Sequence, residues 1–156
     1  MSEILNNEIR EEKYTVKRFN SFDDLLNEDK GDAQEIGMGE SVTIKRNEDT
    51  TVYSYGANPC LIVVSEQENG DCIVFHSNAD EFTDQEEEII KNSKRGICGG
   101  GFNSLVKHEN FLKENNIEVK KWNKQKDDFN IIVVNEVKKD KSKMNIYYYY
   151  GNILDD

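Results

Sequence analysis

Two short apolar runs joined by a turn constrain the fold of this chain more than any other feature. The runs cover residues 60–64 and 72–76 and are rich in isoleucine and valine, and the polar segment 66–71 between them contains Asn-Gly. This pattern predicts a β-hairpin, which places the start of the first strand beside the end of the second. Cys60 and His76 stand at those two ends, so we expect a thiol and an imidazole to be neighbours, the pairing that activates a nucleophilic cysteine.

The rest of the chain predicts further strands and two main helices. Alternating apolar residues and short apolar runs predict strands at 42–44, around 52, and at 117–119, 130–134 and 145–150. A capping box at Thr83 and Glu86 predicts a helix over about 84–94, and apolar residues at helical spacing predict another over about 104–115. Three successive glycines at 99–101 predict a break in regular structure. We therefore expect an α/β (α+β) protein, a single-domain layered sandwich of mixed, largely antiparallel β-sheet with two main helices.

The first forty residues differ in composition from the rest. They are polar and charge-dense, with a short capped helix predicted after Ser21 and a break predicted at 30–32. We therefore predict that residues 1–40 form a polar N-terminal appendage and that residues 41–156 form the main domain. A chain of 156 residues is long enough to bury one core of its own.

The charge balance bears on the kind of partner. The chain has 31 acidic against 20 basic residues and a formal net charge of -11. It would repel phosphate backbones and anionic lipid, so we expect neither nucleic acid nor membrane as a partner. No apolar run approaches the ~20 residues that span a bilayer, and the N-terminus lacks the basic-then-apolar pattern of a signal peptide. We expect a cytoplasmic protein, with export by a specialised system and the oligomeric state left open.

Cysteine usage agrees with a reducing compartment. The three cysteines, Cys60, Cys72 and Cys98, are odd in number and not tightly spaced, so a disulfide framework is not expected. A zinc site is disfavoured as well, because Cys-x-x-Cys is absent and only His76 and His108 could complete a ligand set. We expect no metal.

Cys60 has two interpretations from the residues alone. Most free cysteines are small buried hydrophobes, and Cys60 at a strand start suits that role. Glycine and proline within 56–59 favour a bend that exposes the Cys60 amide, which an oxyanion requires in acyl transfer. His76 is accessible in a polar segment and is the better candidate base, since His108 falls mid-helix on the apolar side.

The order of these residues resembles the chemotaxis receptor glutamine deamidases (the CheD family) and, more distantly, the catalytic domains of cytotoxic necrotizing factor-like toxins. That family has a hydroxyl residue, a glycine-rich bend ending in the nucleophilic cysteine, an apolar strand, a turn, and a strand ending in the histidine. Here the same order reads Ser54, 56–60, 61–64, 66–71 and 73–76. The resemblance covers roughly residues 50–150. Two departures are Pro59 before the cysteine and Ser54 where threonine is usual.

The resemblance implies a CheD-like catalytic domain over residues 41–156 and a protein-glutamine glutaminase (deamidase) activity. Cys60 would be the nucleophile, His76 the general base and acid, and Ser54 the residue that orients the imidazole. The reaction would pass through a thioester and need no metal or organic cofactor. The partner would be a glutamine-bearing protein substrate, and the acidic surface would favour a basic or neutral one.

Two alternatives remain open at this point. A non-catalytic acidic protein-binding module, or a toxin-neutralising partner, would use the acidic surface and leave Cys60 merely packed. A transglutaminase would use Cys60, His76 and Ser54 but resolve the thioester with an amine. A depressed thiol pKa at Cys60 would favour either enzyme over the binding module, which predicts an inert thiol.

Overall fold

The computed structural model describes residues 11–28, 33–78 and 80–152. These residues form ten strands and three helices. In chain order they are β1 (Glu11–Arg18), α1 (Phe22–Leu26), β2 (Gln34–Glu35), β3 (Ser41–Ile44), β4 (Thr50–Ala57), β5 (Leu61–Gln67), β6 (Cys72–Ser77), α2 (Asp84–Lys91), β7 (Ser93–Gly100), α3 (Phe102–Glu114), β8 (Ile117–Val119), β9 (Phe129–Lys138) and β10 (Lys141–Tyr150).

The strands form two five-stranded sheets. The first sheet has the order β1-β10-β9-β4-β2 and the second the order β3-β6-β5-β7-β8. Three neighbouring pairs are parallel, β1 with β10, β2 with β4 and β7 with β8, and the others are antiparallel. The expected layered sandwich of mixed, largely antiparallel sheet is confirmed. In the part of the chain that the structure describes, no helix is both long and apolar enough to cross a bilayer.

The core lies between the two sheets, and a further apolar layer covers each outer face. Val52, Val74 and Ile131 belong to the cluster between the sheets. Leu105 of α3 packs in the cluster on the outer face of the second sheet, and Leu25 of α1 packs against the outer face of the first. Because β5 is covered on both faces, all of its residues from 61 to 66 are buried, which explains the unbroken apolar run in the sequence.

The predicted hairpin is present, with β5 and β6 as its strands. Leu61 pairs with Ser77 and Ile62 with His76, so the start of β5 lies beside the end of β6. The turn is closed by the Gln67 N–H, which donates to the Asp71 carbonyl at 2.8 Å. The capping box of α2 is confirmed too, although this helix ends at Lys91 because β7 begins two residues later.

The prediction that the glycine-rich segment lacks regular structure is wrong. Residues up to Gly100 form β7, which is hydrogen bonded to β5 on one side and β8 on the other. A Cβ atom on Gly96 would lie 2.1 Å from the Val64 carbonyl oxygen, and one on Gly99 would lie 2.3 Å from the Phe129 ring. Glycine is therefore required here by close packing against neighbours distant in sequence, not by a turn.

The predicted appendage also needs correction for its described residues. β1 pairs along its whole length with β10, β2 pairs with β4, and Ile36 is buried in the core between the sheets. Within the described range 33–78, the strands before and after residue 40 therefore belong to the same sandwich, and no domain boundary falls at that residue. The exposed residues Lys13, Thr15 and Lys17 alternate with Tyr14 and Val16, which pack against the core. The polar composition of this segment is therefore compatible with an amphipathic edge strand.

The short helix predicted after Ser21 is confirmed as α1, with the Ser21 hydroxyl accepting from the Asp24 N–H at 3.1 Å. The break predicted at residues 30–32 lies outside the described residues, as do residues 1–10 of the predicted appendage.

Candidate active site

The three predicted site residues lie at one end of the sandwich and face its interior. Ser54 is near the end of β4 in the first sheet, in phase with the core residue Val52. His76 is near the end of β6 in the second sheet, in phase with Val74. Cys60 directly precedes β5 and packs against the same inner cluster.

Strand register sets the separation of the thiol and the imidazole. Ile62 is opposite His76, and Cys60 lies two residues earlier on the same face of β5. If the ladder is extended by one residue beyond Leu61, the two side chains are diagonal neighbours, a relation in which residues are typically about 7–8 Å apart. The hairpin thus places Cys60 and His76 at the same end of the β5–β6 pair.

A hydrogen bond between the two sheets orients the imidazole. The Ser54 Oγ lies 2.8 Å from His76 Nδ1 and 2.8 Å from the Ile36 carbonyl oxygen. A hydroxyl has one proton, and a carbonyl only accepts, so Ser54 donates to Ile36 and accepts from Nδ1–H. The neutral His76 ring then carries its proton on Nδ1 and leaves the Nε2 lone pair for a second partner.

Burial keeps that ring neutral. His76 is 5% exposed, so the expectation that it is accessible is wrong, and Ser54 is fully buried. Burial penalises the imidazolium and lowers the pKa of His76 below its ordinary value of about 6.5. At neutral pH the side chain is accordingly a base, not a cation.

The segment 36–40 holds the histidine from the other side. The Gly39 N–H donates to the His76 carbonyl at 2.7 Å, and the His76 N–H donates to the Glu40 carbonyl at 3.1 Å. Sequence reasoning placed this segment in the appendage and missed its role. The glycines on either side of Met38 were the available signal, because Gly-x-Gly favours a sharp change of backbone direction.

Met38 covers the thiol. Its Sδ lies 3.4 Å from the Cys60 Sγ, and among the hydrogen bonds of the described residues there is none between Cys60 and His76. Cys60 is only partly buried, yet burial is the largest influence on it and raises the pKa of the thiol, against a smaller opposite effect of its own backbone N–H. The depressed pKa that would mark a preformed thiolate is therefore not found in this conformation.

Hydrogen bonds to other segments fix the bend before Cys60. The Gly56 N–H, at a φ of 76°, donates to Asn130 Oδ1 at 2.9 Å. The Asn58 side chain donates to the Gln125 carbonyl at 2.6 Å, and the Gly101 N–H donates to the Cys60 carbonyl at 3.2 Å. The position of the Cys60 backbone is thus set by elements on both sides of the bend.

The remaining histidine and cysteines lie outside this site. The His108 ring packs against the Phe82 ring at 4.6 Å on the helical side of the second sheet, in agreement with a structural role. Cys72 and Cys98 are fully buried, and all three cysteines are free. Within residues 11–28, 33–78 and 80–152, no group of three or more His, Cys, Asp or Glu side chains is arranged to hold a metal ion.

Exposure and pKa together predict the alkylation behaviour of the folded chain. We expect iodoacetamide to modify Cys60 but neither Cys72 nor Cys98, and the rate to rise with pH through a midpoint above the ordinary thiol pKa of about 8.5. The sign follows from the raised pKa, which lowers the thiolate fraction at neutral pH. Peptide mapping after timed alkylation gives the rate at each site.

Two variants serve as controls for that experiment. Met38→Ala uncovers the sulfur and should speed the labelling of Cys60 severalfold, whereas His76→Ala should leave the pH profile almost unchanged. A rate that is already maximal near pH 6 and loses this advantage in His76→Ala would contradict the structure, since it would reveal a preformed thiolate–imidazolium pair.

Comparison with known proteins adds no assignment. No protein-family model matches the chain, and no curated protein sequence is significantly similar to it. The geometry of Ser54, His76 and Cys60 is therefore the basis for a functional proposal.

Proposed function

We propose that this chain is a cysteine hydrolase, a protein-glutamine glutaminase that converts a glutamine side chain of a partner protein to glutamate. The observation that carries the proposal is the 2.8 Å hydrogen bond between Ser54 Oγ and His76 Nδ1. It fixes the tautomer that a general base requires, on the inner face that Cys60 shares. A buried serine whose own proton is already used by a backbone carbonyl is suited to hold an imidazole in this way.

The first half of the reaction forms a thioester. The substrate carboxamide displaces the Met38 side chain from Cys60, and His76 Nε2 takes the thiol proton as sulfur attacks the carbonyl carbon. The tetrahedral oxyanion accepts a hydrogen bond from the Cys60 N–H, since Pro59 has no N–H and the Gly56 N–H already donates to Asn130. The carbon–nitrogen bond then breaks, and His76 returns the proton to the departing ammonia.

The second half restores the enzyme. His76 Nε2 removes a proton from water, the hydroxide attacks the thioester, and the carbon–sulfur bond breaks to give glutamate and the Cys60 thiol. The raised thiol pKa and the lowered imidazole pKa suit a neutral pair in which the proton moves only at attack. An amine in place of water would give transglutamination with the same three residues.

A cleft that shares Met38 with the thiol offers room for the substrate. Its volume is about 330 Å³; the segment 38–41, Asn78 and residues 81–89 contribute to its lining, whereas Cys60 and His76 do not. Met38 lines this cleft and also touches Cys60. A flexible methionine between cleft and sulfur can yield to an incoming side chain at small cost. We propose a cytoplasmic location, which agrees with the three free cysteines, since thiols stay reduced in that compartment.

One observation favours the rival function, a non-catalytic acidic binding module. The thiol of Cys60 has a raised pKa and lies against Met38, as expected for a cysteine that is merely packed. The net charge of -11 would then provide the binding surface for a basic partner.

The decisive experiment measures the chemistry directly. The reduced chain is incubated with a set of glutamine-containing peptides, ammonia release is followed, and each peptide is examined by mass spectrometry for conversion of amide to acid. Added hydroxylamine should trap the thioester as a γ-glutamyl hydroxamate, and an added primary amine reports transglutamination. Protein alkylated at Cys60 is the control. If neither ammonia nor hydroxamate forms with any peptide, the binding module is the better account.

A further inference from the structure

A basic cleft interrupts the acidic surface next to the candidate site. We call it the tryptophan cleft; its volume is about 400 Å³, and Arg18, Trp122, Lys124, Lys126 and Tyr149 are among the residues that line it. Three cations around one cleft are unexpected on a chain with a net charge of -11.

The three cations of the tryptophan cleft are available to a ligand. Arg18, Lys124 and Lys126 are exposed, and none of them forms an ion pair with a carboxylate of the described residues. Asp127 also lines the cleft, and its carboxylate accepts from the Trp122 indole N–H at 2.8 Å. Three cations against one carboxylate leave the lining of the cleft with an excess of positive charge.

Stacking places the charges and limits the kind of ligand. The Arg18 guanidinium lies 4.0 Å from the centre of the Trp122 ring, and the same ring is stacked against Tyr150 with centroids 6.1 Å apart. With the indole already engaged by these neighbours, a ligand meets cations more readily than an open aromatic face. Carboxylates suit that arrangement better than nucleobases, which bind by stacking.

Hydrogen bonds connect the tryptophan cleft to the bend before the nucleophile. The Asn58 Nδ2 donates to the carbonyls of Gln125 and Asp127, at 2.6 and 3.1 Å. Asn58 belongs to the bend that ends in Cys60, and Asp127 lines the cleft. The cleft and the nucleophile are therefore joined by way of this bend.

From this placement we infer that the tryptophan cleft binds an acidic stretch of the substrate protein that flanks the target glutamine. The inference rests on the proposed function, which supplies the substrate. It reverses, for this part of the substrate, the expectation from net charge, because three cations and one carboxylate line the cleft on a chain whose net charge is -11. Binding there would set which glutamines reach the thiol.

Binding can be tested without turnover. Trp122 is the single tryptophan of the chain, so its fluorescence reports on the tryptophan cleft. A peptide with one glutamine and a glutamate-rich flank should change this fluorescence saturably, and the change should weaken with added NaCl. The matched lysine-rich peptide should give no saturable change.

A charge-matched pair of variants separates the cleft from the overall charge. Replacing Arg18, Lys124 and Lys126 together with glutamine should weaken binding of the glutamate-rich peptide about tenfold or more. Because the Arg18 change also removes a neighbour of Trp122, the same affinities are measured by anisotropy of a labelled peptide.

The control variant replaces three exposed lysines elsewhere, Lys91, Lys94 and Lys143, with glutamine and should change the affinity less than twofold. Equal weakening in both triple variants, or no binding of the glutamate-rich peptide, overturns the inference. Saturable binding of an oligothymidylate in the cleft without binding of the peptide overturns it too and assigns the cleft to nucleic acid.

Turnover distinguishes failure of the inference from failure of the proposed function. If the glutamate-rich peptide binds the tryptophan cleft but no glutamine is ever deamidated, acidic-peptide recognition stands and the proposed function falls. If glutamate-rich and lysine-rich peptides are deamidated with equal kcat/KM, the proposed function stands and the inference is wrong.

Discussion

Replacing Cys60 with alanine is expected to lower ammonia release from a glutamine peptide by roughly a thousandfold or more, to the uncatalysed rate. Within the proposed mechanism the sulfur forms the only covalent bond to the substrate. Neither other cysteine can replace it, because Cys72 and Cys98 are fully buried. The measurement is kcat/KM for deamidation, with circular dichroism to show that the variant is folded.

Ser54→Ala gives a graded test of the same site. The alanine removes the acceptor of the His76 Nδ1 proton but leaves the thiol and the base, so we expect a loss of about ten- to a hundredfold, mainly in kcat. Ser65→Ala is the matched control, since Ser65 is a buried serine on β5 that bonds to Ser93. Equal losses in the two serine variants would contradict the role of Ser54 and indicate a general effect of destabilisation.

The largest expected effect on stability concerns Glu66. Its carboxylate is 1% exposed and lies between Arg46, at 3.4 Å from Nη1, and Arg95. Arg46 is 4% exposed and also donates to Ser142 at 3.0 Å and to the Lys13 carbonyl at 2.8 Å. The Arg46 guanidinium thereby links the Glu66 carboxylate, in the second sheet, to β1 and β10 of the first sheet.

Glu66→Ala should lower the free energy of unfolding by about 3–5 kcal/mol, because it removes a buried carboxylate that pairs with both Arg46 and Arg95. Urea unfolding followed by circular dichroism measures the change. Glu118→Ala is the control: its carboxylate is 65% exposed and pairs with Lys120, so the cost should stay within about 1 kcal/mol. A cost of that small size for Glu66→Ala would show that the buried pair contributes little.

Much of the local structure could be predicted from residue spacing. The Asn-Gly turn between two β-branched runs predicted the hairpin, and with it the approach of Cys60 to His76. Alternate side chains of a strand point to opposite faces, so the strand predicted at 145–150 places two of its four tyrosines on the core side, and Tyr148 and Tyr150 lie in the cluster between the sheets. These features depend on residues a few positions apart in the sequence, and the spacing of apolar residues reflects such local relations.

Features that depend on contacts between distant segments were not predictable in this way. The glycines of β7 suggested a loop, yet their lack of side chains makes room for Val64 and Phe129. The charged first forty residues suggested an appendage, yet β1 pairs with β10. The paired residues Thr15 and Asn145, for example, are 130 residues apart in the sequence. In both cases the residue types are compatible with two structures, a loop or a paired strand. The contact with a distant strand decides which of the two forms.

The same division applies to the candidate site. The sequence alone determined which residues could supply a thiol, an imidazole and a hydroxyl, and that a hairpin would bring the first two together. Only the tertiary structure decided that Ser54 reaches His76 from the opposite sheet and that Met38, 22 residues before Cys60, covers the sulfur. The protonation of a thiol or an imidazole depends on burial and on the groups that face it, and those are set when the two sheets and the segment 36–40 pack together.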